Sequence, residues 1–324
     1  MRYVLGVDGG ATKTHALIAD ETGQVRGFGQ AGMSNHQGLG LEYAMAEVER
    51  ATRAALAQAG LTPDAVEIGR FCLAGADLPE DYAMLQQAVE GLALCRAVVI
   101  SNDTLAALRA GSTRSWAVVV ICGTGFNAAG RAPDGREIIL PGLGPISGDW
   151  GGGSDLGMEM IRLVMRAWDG RGGPTRLTRL VSDALEAPSE EALLLRLYHG
   201  EIDQRRINGL VPLLFEAAEE GDPVATALVM RMGEEVGVSA SALIRRLGLE
   251  RTDVEVVLGG SVFKGKGRLL LETIDATVKR QAPRARIVPL RHEPVYGAVL
   301  LALESIGVQT TPEVSKRLSA TLPV

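Results

Sequence analysis

Cysteine is scarce in this chain of 324 residues: three, at positions 72, 95 and 122, none in a C-x-x-C pair. So odd and scattered a set offers no disulfide framework and fits buried thiols in a reducing, cytoplasmic setting. The four histidines, at 15, 36, 199 and 292, show no paired ligand spacing, so no structural zinc is expected. Basic blocks are missing too. Arg205-Arg206 and Arg245-Arg246 are isolated pairs and the net charge is −6, which argues against a nucleic-acid partner. No apolar run approaches the roughly 20 residues of a membrane helix, so no membrane partner is expected. Asp8 and Lys13 interrupt the opening apolar run where a signal peptide would need it unbroken.

What is present is ordinary globular composition, 46% hydrophobic and 22% charged, at a length that suggests two domains. Residues 3–7, 14–19 and 25–29, joined by a glycine turn and by Asp20-Glu21-Thr22-Gly23, read as a meander of three antiparallel strands. Helical periodicity runs over 38–59 and stops at Gly60. Strands are expected at 66–73 and 97–101, with a helix at 80–92 between them and another from about Thr104. From Trp116 the stretch WAVVVICGTGFNAAGRAPDGREIIL repeats the opening plan: apolar strand, Gly/Thr turn, strand, Asp-Gly turn, strand. Such a recurrence implies internal duplication with a boundary near 110–115. The N-terminal domain then spans 1–112, and the C-terminal domain spans 113–324 with a mostly helical insertion over 155–247. A strand at 253–258, a helix at 267–281, a strand at 285–290 and a helix at about 294–306 complete the order. That last helix is placed to pack back on the N-terminal domain, and the tail after Gly307 is expected to be peripheral.

The first glycine turn, in VDGGATKTH over 7–15, joins strand to strand, whereas a dinucleotide-binding turn joins strand to helix. It is either a plain β-turn or a hairpin tip whose N–H groups and hydroxyls cradle phosphate oxygens. In the second case Asp8 stands where a hydrated Mg²⁺ bridging those phosphates needs a carboxylate. Gly123-Thr124-Gly125 holds the equivalent place in the second unit, so two tips could face one another across a cleft. A third cluster, GSVFKGKG over 260–267, nearly spells a Walker loop but ends on Gly267, without the hydroxyl that would hold Mg²⁺. It remains a turn that lets a base and ribose lie close to the backbone.

Three polar residues stand out at junctions. Asp103, in Asn102-Asp103-Thr104, is either a helix N-cap or an acceptor for a substrate hydroxyl proton. Asp149, in GPISGDWGGGSDLG, is either part of a surface loop or held by an unusual backbone for a purpose. Asn35, in GMSNHQG, is a turn residue by default, yet its amide offers donor and acceptor to a sugar.

Together these residues resemble the N-acetylglucosamine kinase and BadF/BadG/BcrA/BcrD ATPase family, within the actin-like, sugar-kinase and Hsp70 superfamily. The resemblance covers roughly residues 3–306. It rests on an ordered series: DGG-x-TKT at 8–14, SNH at 34–36, AGAD at 74–77, ND at 102–103, GTG at 123–125, GD at 148–149, EGDP at 220–223, GGSV-x-K at 259–264 and EPV-x-GA at 293–298. It implies an α/β fold of two ribonuclease H-like (actin-like ATPase) domains with a central cleft. By resemblance, Asp8 serves Mg²⁺, and Gly10, Thr12 and Lys13 serve the nucleotide phosphates. Thr124 and Gly125 grip the phosphates from the other domain, while Gly259, Gly260 and Lys264 lie along the adenosine. Asn35, Asp103, Asn127, Gly144 and Asp149 bind the sugar, with Asp103 as the base on its primary hydroxyl.

Departures bear on the sugar. Sugar kinases of the family usually read Gly-Asp-Glu-Gly where this chain has Gly148-Asp149-Trp150-Gly151, tryptophan at Leu143 and serine at Phe126. The activity implied is an ATP-dependent kinase, using ATP and Mg²⁺, that phosphorylates the primary hydroxyl of an amino sugar, N-acetylglucosamine first. The alternative is a BadF/BadG-type ATPase or an ATP-binding sensor without sugar phosphotransferase activity. Relatives that activate dehydratases need iron–sulfur cysteines, and none of the three here sits in a Cys-Ala-Ala-Gly-like loop. A homodimer, pairing through the 155–247 helices, is expected.

Overall fold

The computed structural model describes residues 1–264 and 267–321. The chain begins with strands β1 Tyr3–Gly9, β2 Thr14–Asp20 and β3 Val25–Ala31, helices α1 His36–Leu39 and α2 Leu41–Ala59, β4 Val66–Leu73, α3 Pro79–Gly91, β5 Val98–Asn102 and α4 Asp103–Gly111. It continues with β6 Ala117–Cys122, β7 Phe126–Arg131, β8 Glu137–Ile139, and helices α5 Gly153–Trp168, α6 Leu177–Ala184, α7 Glu190–Tyr198, α8 Gln204–Asn208, α9 Val211–Glu219 and α10 Pro223–Leu247. Last come β9 Glu255–Gly259, α11 Arg268–Lys279, β10 Arg286–Pro289, α12 Pro294–Ser305 and α13 Pro312–Thr321. The strands form two five-stranded sheets, β3-β2-β1-β4-β5 and β8-β7-β6-β9-β10. Both place their first strand at the centre, the hairpin on one side and the later strands on the other. This shared order is the duplication read from the Gly/Thr turns, and the architecture is that of two ribonuclease H-like domains.

By packing, the chain divides into two compact units. One comprises residues 1–119, 129–141 and 288 onward, the other 120–128 and 142–287. In the first, β1 is buried on both sides, as a central strand must be. Leu5 and Val7 face α2 and α3, packing with Ala16, Ile18, Val48, Ala51, Phe71, Leu73 and Leu85. Val4 faces the other way, joining Leu17 with Val295, Val299, Leu300 and Leu303 of α12. That helix lies almost on the backbone of its neighbours: a Cβ at Gly6 would stand 2.5 Å from Val299 N, and one at Gly297 1.9 Å from Ala106 O.

The tail is not peripheral. α13 buries Leu318 completely against the same cluster, a contact of roughly 2–3 kcal/mol for a leucine taken out of water. Val25 N donates to Thr321 Oγ1 at 3.2 Å, joining the helix end to an edge strand.

In the second unit α10 shows what the EGDP run is for. Asp222 Oδ1 accepts from Val224 N and Ala225 N at 2.9 and 2.8 Å, and Pro223 is the first helical residue. Capping plus a pre-set φ starts this long helix, and Gly248 ends it in the left-handed region. Among the described residues no helix is long and apolar enough to cross a membrane. Cys72 and Cys122 are buried and Cys95 half-buried; burial pushes the Cys72 thiol up to about 12 and Cys95 up to about 11, which keeps them protonated.

Candidate active site

In the first unit the register of three parallel strands gathers the predicted residues. Asp8 pairs with Cys72 and Gly9 with Leu73 across β1 and β4; Cys72 pairs with Ser101 and Leu73 with Asn102 across β4 and β5. Asp8, the AGAD loop and Asp103 therefore leave the same edge of the sheet, within two strand spacings, about 10 Å. Carboxyl ends of parallel strands are where α/β sheets place ligands.

Asp8 is 9% exposed. Burial pushes its carboxyl up to about 8, Asp103 and Glu293 push the same way, and Lys13 opposes them. A buried carboxyl facing other carboxylates is held protonated until a cation arrives, so its chemistry fits a metal ligand. Among the described residues no group of three or more His, Cys, Asp or Glu side chains has metal-binding geometry. A divalent ion at Asp8 would draw its other ligands from water and phosphate, the usual habit of Mg²⁺.

The hairpin beyond Asp8 is closed by Gly10 N donating to Lys13 O at 3.0 Å, leaving Ala11 and Thr12 exposed at the tip. Thr14 Oγ1 fastens its base, donating to Gly32 O at 2.7 Å, with Ser34 Oγ 2.8 Å away. The Lys13 ammonium pairs with Glu293 Oε2 at 2.7 Å, so a phosphate at the tip would compete with that carboxylate.

Asp103 is not the helix cap. That role belongs to Asn102, whose Oδ1 accepts from Thr104 N at 3.0 Å and from the Thr104 hydroxyl. Asp103 is the first residue of α4, and its carboxylate faces its own and the Thr104 backbone N–H. Burial, then the nearby Asp77 carboxylate, pushes its carboxyl up to about 6, basic enough to take a proton near neutrality yet ionised there. Asn35 caps α1, its Oδ1 accepting from Gln37 N at 2.9 Å. Gly75, at φ +85°, lets the AGAD loop abut that turn; a Cβ there would lie 2.8 Å from Asn35 Oδ1.

In the second unit the 123–125 tip is braced by a helix start. Gly153 N donates to Gly123 O at 2.8 Å and Ser154 N to Thr124 O at 3.0 Å, so the positive end of α5 stands behind the tip. Beside it lies a cavity of about 600 Å³, lined by Thr124, Asn208, Phe215, Glu216, Glu219 and Lys264 among others. Its size suits a nucleoside. Of the residues assigned to the nucleotide, Thr124 and Lys264 line it, and Gly125, Gly259 and Gly260 do not. Gly260, at φ +103°, presses on the end of β6, where a Cβ would meet Cys122 O at 2.2 Å. Gly265 and Lys266 of the near-Walker run lie outside the described residues.

The 142–152 loop is shaped by four glycines with positive φ, at 142, 144, 148 and 151. Asp149 N donates to Gly144 O at 3.1 Å, and the Asp149 carboxylate takes the Ser147 hydroxyl. Asn127 packs against Gly142, whose Cβ would stand 3.0 Å from its amide, and accepts from Ala128 N at 2.8 Å. Phe126 is buried beside Gly151 and Trp150 carries the Arg231 guanidinium 4.2 Å above its ring. Of these two departures, only the half-buried Trp150 offers a ring to a ligand.

Sequence reasoning left Asp77 and Glu293 without roles, though AGAD and EPV-x-GA contain them. It missed Asn208, Phe215, Glu216 and Glu219 outright. Helical periodicity marks an apolar face but not the cavity it lines.

A sequence profile described as the BadF/BadG/BcrA/BcrD ATPase family matches residues 5–302. The chain is 29% identical over 312 residues to an N-acetyl-D-glucosamine kinase of Dictyostelium discoideum, covering 93% of this chain and 98% of that one. It is 27% identical over 304 residues to an N-acetylmuramic acid/N-acetylglucosamine kinase of Clostridium acetobutylicum, with coverage of 93% and 98%. The crystal structure of a candidate N-acetylglucosamine kinase from Chromobacterium violaceum superposes with a TM-score of 0.68 at 26% identity, covering 93% of this chain and 99% of that one. With its duplicated sheets, its carboxylates at strand ends and a profile match over nearly its whole length, the chain belongs to the BadF/BadG/BcrA/BcrD ATPase family.

Proposed function

We propose that this protein is an ATP-dependent kinase that phosphorylates the primary hydroxyl of an amino sugar, with N-acetylglucosamine the first candidate. One observation carries the proposal: Asp8 and Asp103 leave the same end of one sheet, two strands apart, buried enough that both carboxyls are raised. One suits a metal and the other a proton. The names of the relatives at 27% and 29% identity favour a sugar as acceptor.

In this reading the first unit handles the acceptor. Asn35 presents its amide to sugar hydroxyls, and Asp103 accepts the proton of the primary hydroxyl as its oxygen bonds to the γ-phosphorus and the bond from that phosphorus to ADP breaks. The second unit handles the donor, with adenosine in the cavity beside Phe215 and phosphates at the Thr124 tip. Mg²⁺ held at Asp8 would neutralise charge on the phosphates. Positioning dominates, because phosphoryl transfer asks little covalent chemistry of the protein. The reading extends to a homodimer: α7 leaves Leu194, Leu195 and Tyr198 exposed, and light scattering of wild type against Leu195→Glu tests whether a second copy covers them.

A coupled ADP-release assay over glucosamine, N-acetylglucosamine, N-acetylmuramic acid and glucose tests the activity. ADP formation that requires one of these sugars supports it. Equal ADP release with and without sugar overturns it.

A further inference from the structure

The two carboxylate oxygens of the AGAD aspartate, Asp77, are split between two pieces of the proposed acceptor site. Asp77 Oδ2 accepts from Gln37 Nε2 at 3.1 Å. Gln37 lies in the short turn α1, whose cap is Asn35. Asp77 Oδ1 accepts from Asn102 Nδ2 at 3.0 Å, and the same amide donates to Ala76 O at 3.1 Å. Asn102 in turn caps α4, immediately before Asp103.

We propose that Asp77 is a positioning residue for phosphoryl transfer, a two-ended tie that fixes the spacing between Asn35 and Asp103. This rests on the kinase reading above and deepens it. Asn35 sits on a helix of four residues, too short to hold its own orientation. Asn102 has both faces of its amide engaged, the oxygen on Thr104 and the nitrogen on the AGAD loop. Its orientation, and with it the first turn of α4, follows the position of Asp77. The tie is itself anchored: Asp81 Oδ2 accepts from Leu78 N at 2.8 Å and from Asp77 N at 3.3 Å, and Asp81 Oδ1 stands 3.5 Å from His36 Nε2. Gly75 completes it, since any side chain there would push the loop off Asn35 and His36. A carboxylate serves here because it gives each of the two amide donors its own acceptor oxygen and brings no competing donor. Neither Asp77 oxygen needs to touch the sugar.

The test compares wild type, Asp77→Ala, Asp77→Asn and Gln37→Ala in steady-state kinetics with ATP and sugar varied separately. Loss of the tie is expected to lower kcat about 10- to 100-fold in Asp77→Ala, the scale of a misplacement near 1 Å at the reacting atoms. KM for the sugar should rise while KM for ATP stays within about threefold, because the adenosine cavity lies wholly in the other unit. Gln37→Ala, which frees only the Asn35 end, should raise the sugar KM with a smaller fall in kcat. Asp77→Asn keeps an acceptor for Asn102 and should recover most of kcat; it also keeps the test alive if the alanine variant does not fold. Wild-type kcat in Asp77→Ala, or sugar and ATP parameters falling together with melting temperature, overturns the proposal. A wild-type protein that phosphorylates no sugar overturns the kinase reading itself, and the tie with it.

Discussion

The two sheets share one strand order but end in opposite chemistry. At the carboxyl ends of β1, β4 and β5 stand Asp8, Asp77 and Asp103, with raised pKa values. At the ends of β6 and β9 stand Gly123-Thr124-Gly125 and Gly259-Gly260. A duplicated frame thus offers one acidic end, suited to metal and protons, and one uncharged glycine-rich end, suited to anions. The duplication preserved backbone geometry and let side chains part. That is the difference to break.

The sharpest break is Asp103→Asn, which keeps shape and removes basicity. It should lower kcat about 10²- to 10⁴-fold while sugar binding by calorimetry persists; near-normal turnover would remove Asp103 from the mechanism. At the neutral end the counterpart is Gly260→Ala. With φ at +103° and Cys122 O 2.2 Å from the new Cβ, it should cost about 2–4 kcal/mol in urea unfolding. An unchanged midpoint would show that this turn yields freely.

Asp8→Asn separates charge from fold. A raised carboxyl stabilises the folded protein through its bound proton, fully so below its unfolded value, and that stability is lost as pH rises through about 8. Without Mg²⁺ the wild type should therefore melt lower at pH 8.5 than at pH 5. The asparagine variant should remove most of that slope, gaining on the order of 3 kcal/mol at pH 8.5, while losing Mg²⁺-dependent turnover. The two carboxylates also part in rate profiles. The acid limb of kcat/KM should titrate near 6 with Asp103 and stay there as Mg²⁺ is raised, whereas a limb from Asp8 would move. The smallest effect belongs to Glu293→Gln, which releases Lys13 and should change KM for ATP by about two- to fivefold.

How far the fold could be read ahead depended on what each residue reports. The meanders and most later elements were legible because strand alternation and glycine stops are local signals. That Asp8 stands at a strand end and Thr124 in a hairpin turn was legible because glycines punctuate both runs. Whether Asp103 caps its helix stayed open in the sequence because Asn and Asp cap equally well, and the Asn102 Oδ1 contact to Thr104 N decides it. The tail was misjudged because α13 is anchored by Leu318 with Val314 beside it, and two apolar residues make too short a pattern to read. The lining of the cavity beside Thr124 was illegible for a tertiary reason: α8, α9 and Lys264 meet only through folding.

The close seat of α12 on β1 has a consequence for biosynthesis. Val4 and Leu17 find their cover in Val295, Val299 and Leu303, nearly three hundred residues later in translation. The second unit, contiguous from residue 142 to 287 apart from one short strand pair, can condense while the first still waits at the ribosome with an apolar sheet face uncovered. The earliest segment made is then the last to be sealed, and nascent chains stalled before residue 295 are the form on which a chaperone has most to hold.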